Sequence, residues 1–317
     1  MLATPVPGSA DDAIIERLNA RQYDQAELFF QSAKCLADPL TDIEDADFWS
    51  VQALLLMSVY MLAVSKRNAA YAYHGEKRGL GTLAGLLTPA TGMAVRSAIA
   101  LGLHREEPMV MFRDAQLVLR CNLWRSLFIL DRFLAASLGR PTAISEDDCS
   151  DATLSLPHAP AAAFAGPAVN PSHSEGVDAD VRSSRVIGVI LKKVYAQRRV
   201  NLRTSQDIVR RCLPWPQKLH PTLHWRQAVG GRISASQGIA ILHVNLLYCH
   251  AVVLLTRPHF LHVVQADRSG APGSAPRPMS RMERFSEVCV SAAYHSIAMV
   301  HTAYEGHYLP RRDPFAM

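Results

Sequence analysis

Helical periodicity punctuated by proline is the feature that most constrains this chain. Apolar residues recur at three- and four-residue spacing through most of its 317 residues, and no run of alternating apolar and polar residues is bounded by hairpin turn signals. The expected fold class is therefore all-α. The periodic stretches predict helices over residues 23–37, 44–64, 68–80, 92–103, 114–138, 181–200, 205–213, 238–257 and 282–305. Pro39, Pro89, Pro108, Pro141 and Pro258 each stand where a helix should stop, because proline lacks the amide donor and disfavours the helical region at the residue before it.

Two segments break the pattern, 155–180 and 266–278, both rich in Pro, Ala, Gly and Ser, and they read as mobile loops. The organisation that follows is a flexible lead over 1–22, an N-terminal helical half over 23–154, the loop 155–180, a C-terminal half over 181–309 interrupted by 266–278, and a tail over 310–317. With 49% hydrophobic and 19% charged residues the chain is too apolar to stay unfolded. We expect an irregular multi-helix domain whose two halves share one core. The apolar run 51–64 is broken by Gln52 and Ser58 and is shorter than the roughly 20 residues that span a bilayer, so no membrane association is expected. Asp11, Asp12 and Glu16 stand where a secretory signal would be apolar, which points to an intracellular protein.

The net charge of +5 permits a polyanionic partner without requiring one. Seven basic residues fall between Lys192 and Arg211, a phosphate-facing stripe or import signal on one reading. Ile187, Ile190, Leu191 and Val194 give the same stretch an apolar face, which favours a solvated helix exterior. Six cysteines at 35, 121, 149, 212, 249 and 289 form no CxxC pair and read as reduced core thiols. The histidine pairs 220/224, 243/250 and 259/262 include one at helical metal spacing, but Pro221 lies inside it, and no HExxH occurs. GxSxG, P-loop and GxGxxG motifs are also missing, so neither catalysis, metal nor cofactor is expected.

On a helix over 114–138, Leu123, Trp124, Leu127 and Leu134 define an apolar sector that also contains Arg120 and Asp131. Eleven residues put those two charges about 16 Å apart, so each should meet an opposite charge from elsewhere, with Arg96, Arg140 and Arg257 as candidates for Asp131. Downstream, Asp147, Asp148 and Asp151 spell DDxxD, which in helical prenyl-diphosphate enzymes holds magnesium against a diphosphate. Such enzymes hold the carboxylates on a helix wall, whereas these follow Pro141 and precede a proline-rich loop; a solvated acidic turn is the favoured reading.

Taken in order, AIALGLHR (98–105), Arg120 with Leu123-Trp124 and Asp131-Arg132, and Leu138-Gly139-Arg140-Pro141 with Ile144 and Asp148 resemble the fungal-specific transcription factor domain, the middle regulatory region of zinc-cluster transcription factors. The likeness continues through Leu213-Pro-Trp215-Pro, Tyr248 with His250, Leu254-Leu-Thr-Arg257-Pro258 and Cys289 to Ala293, so that residues 23–305 are covered. Cys121 replaces a second arginine of the family pattern, and Arg125 replaces a second aromatic.

The resemblance implies a nuclear, non-enzymatic regulator of transcription. Its partners would be co-regulators or a DNA-binding module, with a small-molecule effector and a homodimer as further options. It implies structural roles for Arg96, Gly102, His104, Arg105, Trp124, Asp131, Arg132, Gly139, Arg140, Pro141, Asp148, Arg257 and Pro258. The family's six-cysteine zinc cluster has short spacings that this chain does not contain, so the chain alone is expected to bind no specific DNA sequence. The rival readings are the magnesium-dependent enzyme and a free-standing helical small-molecule binder with a pocket between its halves.

Overall fold

A computed structural model of the chain describes residues 25–36, 47–74, 93–155, 171–197, 201–212, 217, 219–229, 233–269 and 279–309. They form helices and turns, with no strand among the described residues, and divide into two compact units, Met1–Asp178 with His307–Met317, and Ala179–Gly306.

The first unit contains α1 (Gln25–Leu36), α2 (Phe48–Ala63), α3 (Arg67–His74), α4 (Met93–Ala100), α5 (Asp114–Leu138) and α6 (Asp151–Leu154). Asp47 opens α2 with a reciprocal cap: its carboxylate accepts the Ser50 amide at 2.6 Å, and its own amide donates to the Ser50 hydroxyl. The apolar face of α2 is buried through Val51, Leu54, Leu55, Met57, Met61 and Leu62. At Ser65, φ is 60°, the helix stops, and α3 folds back so that the buried Ser58 hydroxyl donates to the Ala70 carbonyl at 2.7 Å.

The central element is α5, which buries Leu123, Trp124, Leu127 and Leu134, the sector that the spacing predicted, and Phe128 beside them. Each such side chain contributes about 1.5–3 kcal/mol of burial. It ends at Gly139, whose left-handed φ of 62° lets the amides of Gly139 and Arg140 both reach the Ala135 carbonyl.

α7 (Pro171–Ile190) carries the boundary between the units. The second unit continues through a π turn (Leu191–Tyr195), α8 (Leu202–Cys212), a 3-10 turn (Pro221–Leu223), α9 (Trp225–Val229), α10 (Ala235–Ser269) and α11 (Arg281–Glu305). α10 and α11 pack along each other, and α10 buries Ile241, Leu242, Leu247, Ala251, Leu254 and Leu255. A capping box starts α11: the Ser280 hydroxyl accepts the Glu283 amide at 3.2 Å while the Glu283 carboxylate accepts the Ser280 amide.

Several expectations need correction. The helix expected from residue 181 starts at Pro171, because proline at the first helical turn gives up a donor that has no partner there in any case. Thus 171–180, read as loop, is helical, whereas 156–170 lies outside the described residues. The helix expected to stop at Arg257 passes through Pro258 and reaches Ser269, which also absorbs the first residues of the expected 266–278 loop. Residues 235–266 are long and apolar enough to cross a membrane, a stretch longer than the 51–64 run; more than half of their most apolar window is buried inside the protein. Pro108 sits in the first turn of a 3-10 segment (Glu107–Met111), and Pro141 follows the end of α5, whereas Pro39 and Pro89 lie outside the described residues.

Candidate functional site

Motif positions of the first unit converge on the exit of α5. Asp131 is fully buried, and its carboxylate accepts three donors: the amides of Ala143 at 2.8 Å and Ile144 at 3.2 Å, and an Arg132 guanidinium nitrogen at 2.5 Å. Arg132 also donates to the Ile144 carbonyl at 3.0 Å, reaches Glu146 at 3.4 Å and lies over the Phe128 ring at 4.3 Å. Two adjacent side chains thus clasp the backbone that returns after the LGRP turn. Burial pushes the Asp131 carboxyl up from its ordinary value, and Arg132 and the two amides oppose that push.

The expected partner of Asp131 was an arginine from another segment. The structure supplies its neighbour Arg132 instead, and both side chains bond the backbone at 143–144. Arg140 lies over the Tyr71 ring at 4.6 Å and donates to Asn68, while Tyr71 donates to the Pro141 carbonyl at 3.2 Å, so that α3 holds the LGRP turn from outside. Arg96 and Arg105 are exposed. Arg120 meets aromatic faces where a carboxylate was expected, 3.6 Å from the centroid of Phe112 and 5.6 Å from that of Phe48.

The LGLH turn docks on the segment after the clasp. Gly102 adopts φ of 70°, and an added Cβ would lie 2.9 Å from Pro108 Cγ. The His104 carbonyl accepts the Ser150 amide at 2.9 Å, and its ring lies 6.1 Å from that of Trp124. Burial, then the Arg105 charge, hold the His104 imidazole below its ordinary pKa. Trp124 is buried without exposure, and beside it the fully buried Arg125 pairs with Asp178. That pairing gives the buried charge at 125 its partner. Nothing in the sequence around Arg125 announced Asp178, which lies 53 residues away in the segment read as loop.

Asp147 and Asp148 stand on a 3-10 turn (Glu146–Asp148), and Asp151 opens α6; all three are exposed. No cluster of metal-ligating side chains occurs there or elsewhere among the described residues. Two of the three carboxylates thus stand on a turn, whereas the DDxxD reading needs all three on one helix wall. His220 caps the 3-10 turn at 221–223 by accepting the Thr222 amide. Of the basic run, Lys192, Lys193, Arg203, Arg210 and Arg211 are exposed, and Arg198 and Arg199 lie outside the described residues.

In the second unit the Arg257-Pro258 pair has a partner that the sequence did not suggest. Pro258 cannot donate to the Leu254 carbonyl, and the Tyr195 hydroxyl donates to it at 2.9 Å. The Arg257 guanidinium lies 5.7 Å from the Tyr195 ring centroid. Burial pushes the Tyr195 phenol up, with Arg257 opposing. One residue beyond the proline, the buried His259 is 2.8 Å from the buried Ser205 hydroxyl and stacks on Phe285. The conspicuous local signal for Tyr195 is the π turn that presents it, a feature invisible to a 3.6-residue period.

Asp131, Arg132, Tyr71 and Tyr195 each close a turn or fill a backbone vacancy, whereas Arg125 and Ser205 pair with side chains of distant segments.

Residues 1–163 match the fungal specific transcription factor domain. Over 282 residues the chain is 23% identical to an uncharacterized transcriptional regulatory protein of Schizosaccharomyces pombe, covering 86% of this chain and 31% of that protein. It is 24% identical to Filamentous growth regulator 27 of Candida albicans, covering 76% of this chain and 28% of the relative. Activator of stress genes 1 of Saccharomyces cerevisiae is 29% identical over 134 residues, 42% of this chain and 12% of its own. The chain spans less than a third of the length of these relatives. No solved structure matches it. With just over half of its residues matched, the chain belongs to the fungal specific transcription factor domain family.

Proposed function

We propose that this chain is the regulatory part of a fungal-type transcription factor that controls transcription through protein contacts rather than by reading DNA. The match of residues 1–163 to the family carries the reading. One observation supports it: the motif residues Asp131 and Arg132 are spent on holding the backbone that returns after α5. A domain built this way offers surfaces to co-regulators or to a DNA-binding module, works in the nucleus, and needs neither cofactor nor catalysis. An effector that shifts the packing of such a domain would act by the same route.

The test joins the chain to an unrelated DNA-binding module in a fungal host carrying a matching reporter. Reporter output should change, upward or downward, relative to the module alone. The purified chain without the module should show only weak, salt-sensitive attachment to DNA. A site-selective complex formed by the chain alone at physiological salt, or a reporter indifferent to the fusion, would overturn the reading.

A further inference from the structure

Charge is divided unevenly along the chain. Ala179–Gly306 holds seventeen Lys and Arg against six Asp and Glu, a net +11, so that the rest of a chain of net +5 carries −6. This unit lies beyond residues 1–163, the part matched to the family. Seven of the seventeen cations fall between Lys192 and Arg211, a stretch whose sole carboxylate is Asp207. Lys192 and Lys193 stand exposed on the π turn, and α8, which packs against that turn, exposes Arg203, Arg210 and Arg211.

The helix fixes where these charges point. α8 buries Ser205 and Ile208. At 100° per residue Arg203 and Arg210 lie on the opposite side, within about 20° of each other and about 10 Å apart along the axis. Arg211 holds Asp207 at 2.9 Å, so the carboxylate on this side of the helix is already matched.

The same face lacks what other partners need. No large apolar side chain is exposed between 192 and 211 among the described residues. The centre of a protein interface is poor in charge and rich in aromatic side chains and Met. Single-stranded nucleic acid requires aromatic faces on which its bases stack. A helix that enters a lipid surface does so by its apolar side, and that side of α8 is turned into the fold. What remains is positive charge at fixed positions, the complement of a regular line of phosphates.

We infer that the face formed by the π turn and α8 binds the phosphate backbone of duplex DNA without regard to base sequence. Such a contact adds affinity beside a site that a separate module selects, because a tethered second contact forms at high effective concentration. The inference rests on the proposed regulatory role for its setting, but its test does not use the reporter, so either can fail alone.

The measurement is fluorescence anisotropy of the 317-residue chain with a labelled random-sequence duplex of about 20 bp, between about 50 and 200 mM salt. Each phosphate contact adds about 0.9 to the slope of log K against log salt, so three to five contacts give a slope of about −3 to −4.5. Arg203→Gln with Arg210→Gln should make it shallower by about 1.8. Circular dichroism and thermal unfolding should stay unchanged, since both side chains face solvent. Lys66→Gln with Arg67→Gln, exposed at the entry to α3, removes the same charge from the first unit and should leave the slope as it was. No complex at the lowest salt, a slope untouched by the Arg203 and Arg210 changes, or an equal effect of the Lys66 and Arg67 changes would overturn the proposal. So would tighter binding to polyglutamate than to DNA at the same charge concentration, which would point to an acidic protein partner.

Discussion

The Tyr195 hydroxyl donates at 2.9 Å to the Leu254 carbonyl, the acceptor that Pro258, inside α10, leaves without its helical partner. A proline inside a helix removes one hydrogen bond and exposes one carbonyl, and α10 continues past it because a side chain from another segment supplies the donor. This explains why the Arg257-Pro258 sequence marks the interior of a helix here.

Tyr195→Phe should therefore lower stability by about 1–3 kcal/mol, the cost of leaving a buried acceptor unmade. Pro258→Ala restores the backbone donor, so the same Tyr195→Phe change in a Pro258→Ala background should cost markedly less. Urea unfolding of the four proteins measures the coupling. Additive effects would show that the hydroxyl does not stand in for the amide.

Asp131→Ala should destabilise the first unit by about 3–5 kcal/mol, because it strands Arg132 inside the fold and leaves the Ala143 and Ile144 amides without an acceptor. Asp131→Asn should be nearly as damaging, since a carboxamide turns one of its two positions into a donor facing other donors. Differential scanning calorimetry and soluble yield are the readouts. A variant with wild-type stability that fails only in the reporter assay would show that the clasp serves regulation directly.

Two glycines with left-handed backbone should respond unequally to alanine. Gly139→Ala meets nothing within 4 Å, so it should cost only the conformational term of about 1–2 kcal/mol. Gly102→Ala adds a methyl 2.9 Å from Pro108 Cγ, and overpacking of that kind adds about 1–3 kcal/mol. Melting temperatures should fall in the order wild type, Gly139→Ala, Gly102→Ala.

His259 gives the second unit an acid limb. Burial, with a contribution from His262, lowers its pKa below the ordinary 6.5. The unfolded chain therefore binds the proton more readily, so this contribution to stability is present above pH 6.5 and is lost as pH falls from there through the lowered folded value. His259→Gln keeps a hydrogen-bonding group beside Ser205 but does not titrate. Its urea midpoint should change less between pH 7.5 and 5.5 than that of the wild type, with both pH values chosen to lie about one unit either side of the ordinary histidine pKa. Equal changes would assign the acid limb to His250, which burial also holds low.

Helix existence was legible wherever one face had to be buried: α5 occupies the predicted interval at both ends, and its apolar sector is the buried one. Helix ends were less legible. Asp47 and Ser280 start their helices through side-chain caps, and Pro171 starts α7 inside a stretch whose Pro, Ala, Gly and Ser content suggested a loop. In each case one or two local hydrogen bonds or a single preset φ decide the boundary, and these outweigh composition at the helix end.

The sequence by itself determined the all-α class, the buried face of α5, and the family, since these depend on residue spacing and motif order along one strand of chain. Only the tertiary structure decided which charge meets which. Asp131 takes its neighbour and a returning loop, Arg125 takes Asp178, Arg120 takes two aromatic rings, and Pro258 is carried through α10 by Tyr195. A buried polar group demands a partner with a strength that its own sequence context reveals, but the identity of that partner depends on which distant segment packs within 3 Å or so, a distance that spacing along the chain does not encode.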